Sequence, residues 1–87
     1  MNIKNRVAIV ILNWNGKSFL EQFLPLVLKY SASANIYVAD NQSTDDSIPF
    51  LKTYFPEVSI IINPRNEGFA KGYNSALKQV KEEYYVL

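Results

Sequence analysis

The chain has 87 residues, 48% hydrophobic and 20% charged, a composition that suits one globular domain and excludes a disordered segment. Nine basic residues against eight acidic leave a formal net charge of +1, so no bulk positive field exists to draw a nucleic acid. Cysteine and histidine are both absent, which excludes disulfide scaffolds, thiolate or imidazole zinc sites, cysteine nucleophiles and histidine general bases.

Val7–Leu12 is a β-branched apolar run without polar alternation, the pattern of a strand buried on both faces. At six residues it is far short of the roughly 20 that a membrane-spanning helix needs. It is also too short for the apolar part of a secretory leader, and Asn13, Trp14 and Asn15 follow in place of a small-residue cleavage site. A cytoplasmic protein is therefore expected. From Lys17 to Tyr30, Phe19, Leu20, Phe23, Leu24, Val27 and Leu28 recur at helical spacing. Pro25 is expected to kink that helix or split it, because proline removes a donor and clashes with the preceding turn.

Ile36–Ala39 is the second predicted strand, ending at Asp40, with Asn41, Gln42 and Ser43 in the turn. Ser43 or Thr44 is expected to cap the next helix, with Asp45 and Asp46 in its first turn and Ile48, Leu51 and Tyr54 or Phe55 facing inward. Pro56 ends it. Val58–Ile62 is the third strand, closed by Asn63 and Pro64. Asn66 is a candidate cap for a last helix over Gly68–Val80, with Phe69, Tyr73, Ala76, Leu77 and Val80 inward. Tyr84–Leu87 opens a fourth strand. It stops without a turn or polar tail, which points to the N-terminal piece of a longer protein.

The order β-α-β-α-β-α-β implies an α/β fold with a parallel sheet and right-handed crossovers. Such sheets bind ligands outside the carboxyl ends of their strands. That rule selects the loops Asn13–Gly16, Asp40–Ser43 and Asn63–Gly68. Gly16-Lys17-Ser18 resembles the tail of a P-loop, but Ile11 stands where the first glycine is required. Gly16 is also too little for a dinucleotide fingerprint. Asp45 and Asp46 read more simply as helix-capping carboxylates than as metal ligands.

The three loops together suit a nucleotide carrying a diphosphate. Trp14 offers a face for a planar base. Asp40 offers acceptors for a ring N–H or a ribose hydroxyl. Arg65 and Lys71 flank a helix start at Asn66–Gly68, where backbone N–H groups favour phosphate. Gly68 and Gly72 permit close approach. Taken singly, each has a plainer reading: Trp14 as a cover for the sheet edge, Asp40 as an Asx turn, Asn66 as a helix cap, Arg65 and Lys71 as solvated charges, and Gly72 as a packing residue.

The combination resembles a known family. VAIVILNWNGKSFLEQFL, IYVADNQSTDDSIPFL and NPRNEGFAKGYNSAL are similar in order and spacing to the start of a family 2 glycosyltransferase. Asp40-Asn41-Gln42-Ser43-Thr44-Asp45 resembles the family's D-[DN]-x-S-x-D turn. Asn66, Gly68, Phe69, Ala70, Gly72 and Asn74 resemble its N-x-G-[FX]-A-x-G-x-N segment. The resemblance implies the Rossmann-like nucleotide-binding half of a GT-A fold. It implies that Leu12, Asn13 and Trp14 line the base site, that Asp40 bonds the base, and that Arg65, Asn66 and Gly68 lie near the nucleotide or its diphosphate. Asn41 stands where many members have a second aspartate, which leaves the donor sugar open.

The implied donor is a UDP-, dTDP- or GDP-sugar, and the implied acceptor a glycan or lipid-linked hydroxyl in polysaccharide biosynthesis, with no role for nucleic acid. The resemblance also implies an inverting reaction and Mg2+ or Mn2+ in the full-length enzyme, which would work at the cytoplasmic face of a membrane. The family's metal-binding D-x-D follows the fourth strand and its catalytic base lies further on; neither is in this sequence. The 87-residue chain is accordingly expected to be inactive by itself, and its open sheet edge to favour homo-oligomers. A non-catalytic nucleotide-binding or regulatory module, or an α/β interaction fold without ligand, is the alternative.

Overall fold

Alternate side chains of the central strands enter two separate cores, and this sets the architecture. The structure is a computed structural model that describes residues 7–31, 34–65, 68–80 and 84–86. Seven elements follow one another: β1 (Val7–Asn13), α1 (Lys17–Tyr30), β2 (Asn35–Asp40), α2 (Ser47–Tyr54), β3 (Ser59–Ile62), α3 (Gly68–Leu77) and β4 (Tyr84–Val86). The sheet order is β3-β2-β1-β4, and every pairing is parallel. The chain steps outward from β1 to β3 and then returns to the far side of β1. The carboxyl end of β1 is thus the topological switch point, where doubly wound sheets take their ligands.

On one face, Leu20 and Leu24 of α1 and Leu51 of α2 pack on Ile36 and Val38, joined by Ile9 and Ile11. Burying each such leucine contributes roughly 1.5–3 kcal/mol. The other face is floored by Ala8, Val10, Ala39 and Ile61, against Ala76, Tyr73 and Leu77 of α3. Three alanines in that layer let α3 lie close to the sheet. A Cβ on Gly72 would stand 2.8 Å from the Asn41 amide nitrogen and 3.0 Å from Leu12. Gly72 is therefore required by close packing.

Several expectations are corrected. Pro25 does not split α1, which runs unbroken. The backbone bond it forgoes would have ended on Glu21, and both residues are exposed, so water can serve that carbonyl while the buried stripe stays intact. Phe19 and Phe23 are not in the core. They are 68% and 45% exposed and stack on each other with centroids 5.6 Å apart. The apolar arc of α1 is wider than the strip the sheet covers, and Leu20 and Leu24 take that strip.

The second helix starts at Ser47, not just after Ser43 or Thr44, so Asp45 and Asp46 precede it. The Ser43 hydroxyl donates to Asp40 and is not available as a cap. Tyr54 is exposed, and Phe55 packs against the core in its place. The third strand begins one residue late because the Val58 N–H turns back to the Phe55 carbonyl. The last helix ends at Leu77, beyond which Gln79 and Val80 make turn bonds to Ala76 and Leu77, and Val80 still packs on the core. Asn66 as cap, the Phe69 side chain and Leu87 lie outside the described residues. Among the described residues, no helix is long and apolar enough to cross a membrane.

Candidate functional site

The first two strands end on polar residues, Asn13 and Asp40, and Asn63 directly follows the third. The ladder continues one step past the sheet, with Asn41 N–H donating to the Asn13 carbonyl and Asn63 N–H to the Asp40 carbonyl, both at 2.8 Å. These ends are buried, so their side chains must find partners within the protein.

Asp40 is 2% exposed. Its Oδ1 accepts from Asn13 Nδ2 at 2.9 Å and from the Ser43 hydroxyl at 2.6 Å, and its Oδ2 accepts from Ser43 N–H at 2.8 Å. Asn13 Oδ1 accepts from Gly16 N–H at 3.1 Å. Asp40 thus sets the Asx-type turn and orients the Asn13 carboxamide, which in turn closes the loop ahead of α1.

Asn15 adopts a left-handed backbone with φ 54°. Its Oδ1 accepts from Thr44 N–H at 2.6 Å and Asp45 N–H at 3.1 Å, and its own N–H donates to the Ser43 hydroxyl at 2.8 Å. Asp45 serves two helices at once. Its Oδ2 accepts from Lys17 N–H at the start of α1, at 3.3 Å, and its Oδ1 from Ser47 N–H at the start of α2, at 2.9 Å. Neither helix has a side-chain bond from its own N-cap residue. Desolvation pushes the Asp45 carboxyl up, but the Ser47 hydroxyl and N–H, the Lys17 N–H and the Lys17 charge outweigh it and hold the group below its ordinary value of 3.8.

The α3 side is joined by carboxamides. Asn63 Nδ2 donates to Asn41 Oδ1 at 2.7 Å and to the Gly72 carbonyl at 3.1 Å, and Asn41 Nδ2 donates to the Gly68 carbonyl at 3.2 Å. Gln42, also left-handed at φ 64°, donates from Nε2 to the Asn63 carbonyl at 2.6 Å. Asn63 Oδ1 is a buried acceptor without a hydrogen-bond partner among the described residues. β4 pairs only with Val7–Ile9, and further along β1 the Leu12 N–H reaches the Tyr73 hydroxyl at 3.4 Å.

Beside the end of β1 lies an open cleft of about 420 Å³, within the range of small-molecule sites. Five of the sequence-derived residues line it: Leu12, Asn13, Trp14, Asn41 and Gly68. Gly16, from the selected Asn13–Gly16 loop, completes the wall with Ile11, Phe19 and Leu20, which were not foreseen as site residues. Phe19 is the informative miss, since its helical spacing fits a core position and a cleft position equally well. Asp40 is buried and does not line the cleft. Arg65 and Lys71 are exposed outside the lining, and Asn66 is outside the described residues.

The carboxyl groups at this edge do not suit a divalent cation. Asp40 and Asp45 spend their oxygens on their own chain, and among the described residues no three acidic side chains gather. Oxygen-preferring cations such as Mg2+ need several such ligands turned toward one point.

The fold is a Rossmann-like, doubly wound α/β unit with an open cleft at the switch point. The sequence model of Glycosyl transferase family 2 matches residues 8–87, and the chain belongs to that family. No curated protein matches it. Among solved structures it is similar to the mannosyltransferase PcManGT from Pyrobaculum calidifontis in complex with GDP-Man and Mn2+, with a TM-score of 0.69 and 20% identity over 87% of this chain. The chain spans 24% of that protein's length. The likeness shows the fold, the first half of a GT-A architecture.

Proposed function

We propose that this chain is the donor-binding half of a glycosyltransferase that moves a sugar from a nucleoside diphosphate to an acceptor hydroxyl. The observation that carries the reading is the cleft at the end of β1, where apolar walls, the exposed Trp14 ring and the Asn13 and Asn41 carboxamides meet. A base stacked on Trp14 gains about 1–3 kcal/mol, on the scale measured for bases on aromatic side chains. Asn13 presents its carboxamide at the wall. Asp40, buried and bonded to Asn13 and Ser43, acts on the base through the Asn13 carboxamide that it orients.

Asp45 already occupies the N-termini of α1 and α2, so the diphosphate is directed toward α3, with Arg65 and Lys71 on the approach. The acceptor oxygen then attacks the anomeric carbon and the nucleoside diphosphate leaves, with inversion. The group that activates the acceptor and the carboxylates for Mg2+ or Mn2+ are assigned to the remainder of a longer enzyme. The 87-residue chain by itself binds donor and transfers no sugar. The solved relative holds GDP-Man and Mn2+, a donor and cation of the class proposed.

The test is a fluorescence titration of Trp14, the single tryptophan, with UDP, GDP and dTDP. A saturable change with one of them is expected. No change through about 1 mM, where binding is worth only ~4 kcal/mol, contradicts the reading.

A further inference from the structure

We propose that Asn15 is the positioning residue of the cleft, clamping the Asn13–Gly16 loop to the Ser43–Asp45 turn and so fixing where the Trp14 ring stands. Trp14 is 57% exposed, so burial alone does not hold it. What holds its backbone is the residue that follows. Asn15 takes a left-handed φ of 54°, which asparagine tolerates better than other non-glycine residues. In that conformation its side chain reaches across to a turn 28 to 30 positions away and accepts the N–H groups of both Thr44 and Asp45. Its own N–H returns a bond to the Ser43 hydroxyl, and Nδ2 donates to the Thr44 hydroxyl at 3.2 Å.

On the other side of Trp14, Asn13 is fixed by Asp40 and holds Gly16. Trp14 is therefore the free ring of a loop anchored before and after it. Such a ring loses little freedom when a planar ligand stacks on it, which is the physical content of preorganisation. The benefit to nucleotide binding rests on the reading of the cleft as a base site; the clamp itself does not.

Two substitutions separate the hydrogen bonds from the backbone strain. Asn15→Gly keeps the left-handed conformation and removes the acceptor. Asn15→Asp keeps an acceptor that also visits this conformation, and about 1 M salt, with a Debye length of about 3 Å, screens its charge from Asp45. Both leave the core untouched, since Asn15 is exposed. Trp14 anisotropy and acrylamide quenching are read on the nucleotide-free chain, with far-ultraviolet circular dichroism as the check on folding.

In N15G the anisotropy is expected to fall and quenching to rise, and N15D is expected to return both toward the parent. Unchanged Trp14 mobility in a folded N15G overturns the proposal. Should N15G fail to fold, amide exchange in the parent decides. Slowed exchange at Thr44 and Asp45 supports the clamp, and free exchange at both overturns it. Nucleotide affinity of N15G is expected to drop on the order of tenfold, the loss of a preorganised contact. A loosened Trp14 with no nucleotide response in either chain would retire the base-site reading and leave the clamp standing.

Discussion

On the α1–α2 side of the sheet's carboxyl edge, side-chain oxygens of Asp40, Asn15 and Asp45 accept backbone N–H groups, and the loops are tied before any ligand arrives. On the α3 side the joints are carboxamides giving to carbonyls, under a helix brought close by alanines and Gly72, and the Asn63 acceptor has no partner among the described residues. The first side is held by electrostatics around helix starts, the second by fit. Trp14, the proposed base platform, stands on the first side. The second side is where backbone approaches closely and where the diphosphate is proposed to lie.

The largest effect in that contrast is expected from Asp40→Ala, which takes an acceptor from the buried Asn13 carboxamide and from the half-buried Ser43 N–H and hydroxyl. Leaving such groups unpaired costs about 1–3 kcal/mol each, so a loss of ~3 kcal/mol is expected in urea unfolding. Gly72→Ala tests the fit on the other side. Its Cβ would meet the buried Asn41 carboxamide at 2.8 Å, which Asn63 and the Gly68 carbonyl hold in place. Overpacking of this kind costs about 2 kcal/mol, or roughly 10 °C in melting temperature at this size. If Gly72→Ala is neutral, the close approach of α3 is not a constraint and the contrast fails.

A comparable effect is expected on binding rather than on stability. Trp14→Ala should weaken nucleotide binding by about tenfold or more, the value of one stacked base, read by calorimetry. The smallest effect concerns pH. The folded-state pKa of Asp45 lies below 3.8, so its stabilisation is present above that pH and is lost as pH falls through the folded value. The stability difference between the parent and Asp45→Asn should therefore vanish only in acid. A difference that instead grows below pH 3.8 contradicts the double cap.

Most of the scaffold was legible in the sequence. The unbroken Val7–Leu12 run, the bounds of α1 and the strand-helix alternation follow from local pattern, which needs no knowledge of partners. The start of α2 was not legible, because whether Ser43 caps a helix or bonds Asp40 depends on a strand end already in place. Nor were the outward positions of Phe19 and Phe23, since periodicity shows an apolar arc but not which part the sheet covers. Of the site, Leu12, Asn13, Trp14, Asn41 and Gly68 do meet at one cleft. Asn15 acts on Thr44, 29 positions distant, and Asn63 on Asn41, 22 positions distant, and no local spacing announces them.

The central claim is that a nucleotide occupies the cleft at the end of β1. Amide chemical-shift mapping of the labelled chain with UDP, GDP and dTDP tests it most directly. The account predicts shifts concentrated at Leu12–Gly16, Asn41 and Gly68. Shifts absent there, or confined to the outer faces of α1 and α2, would contradict it.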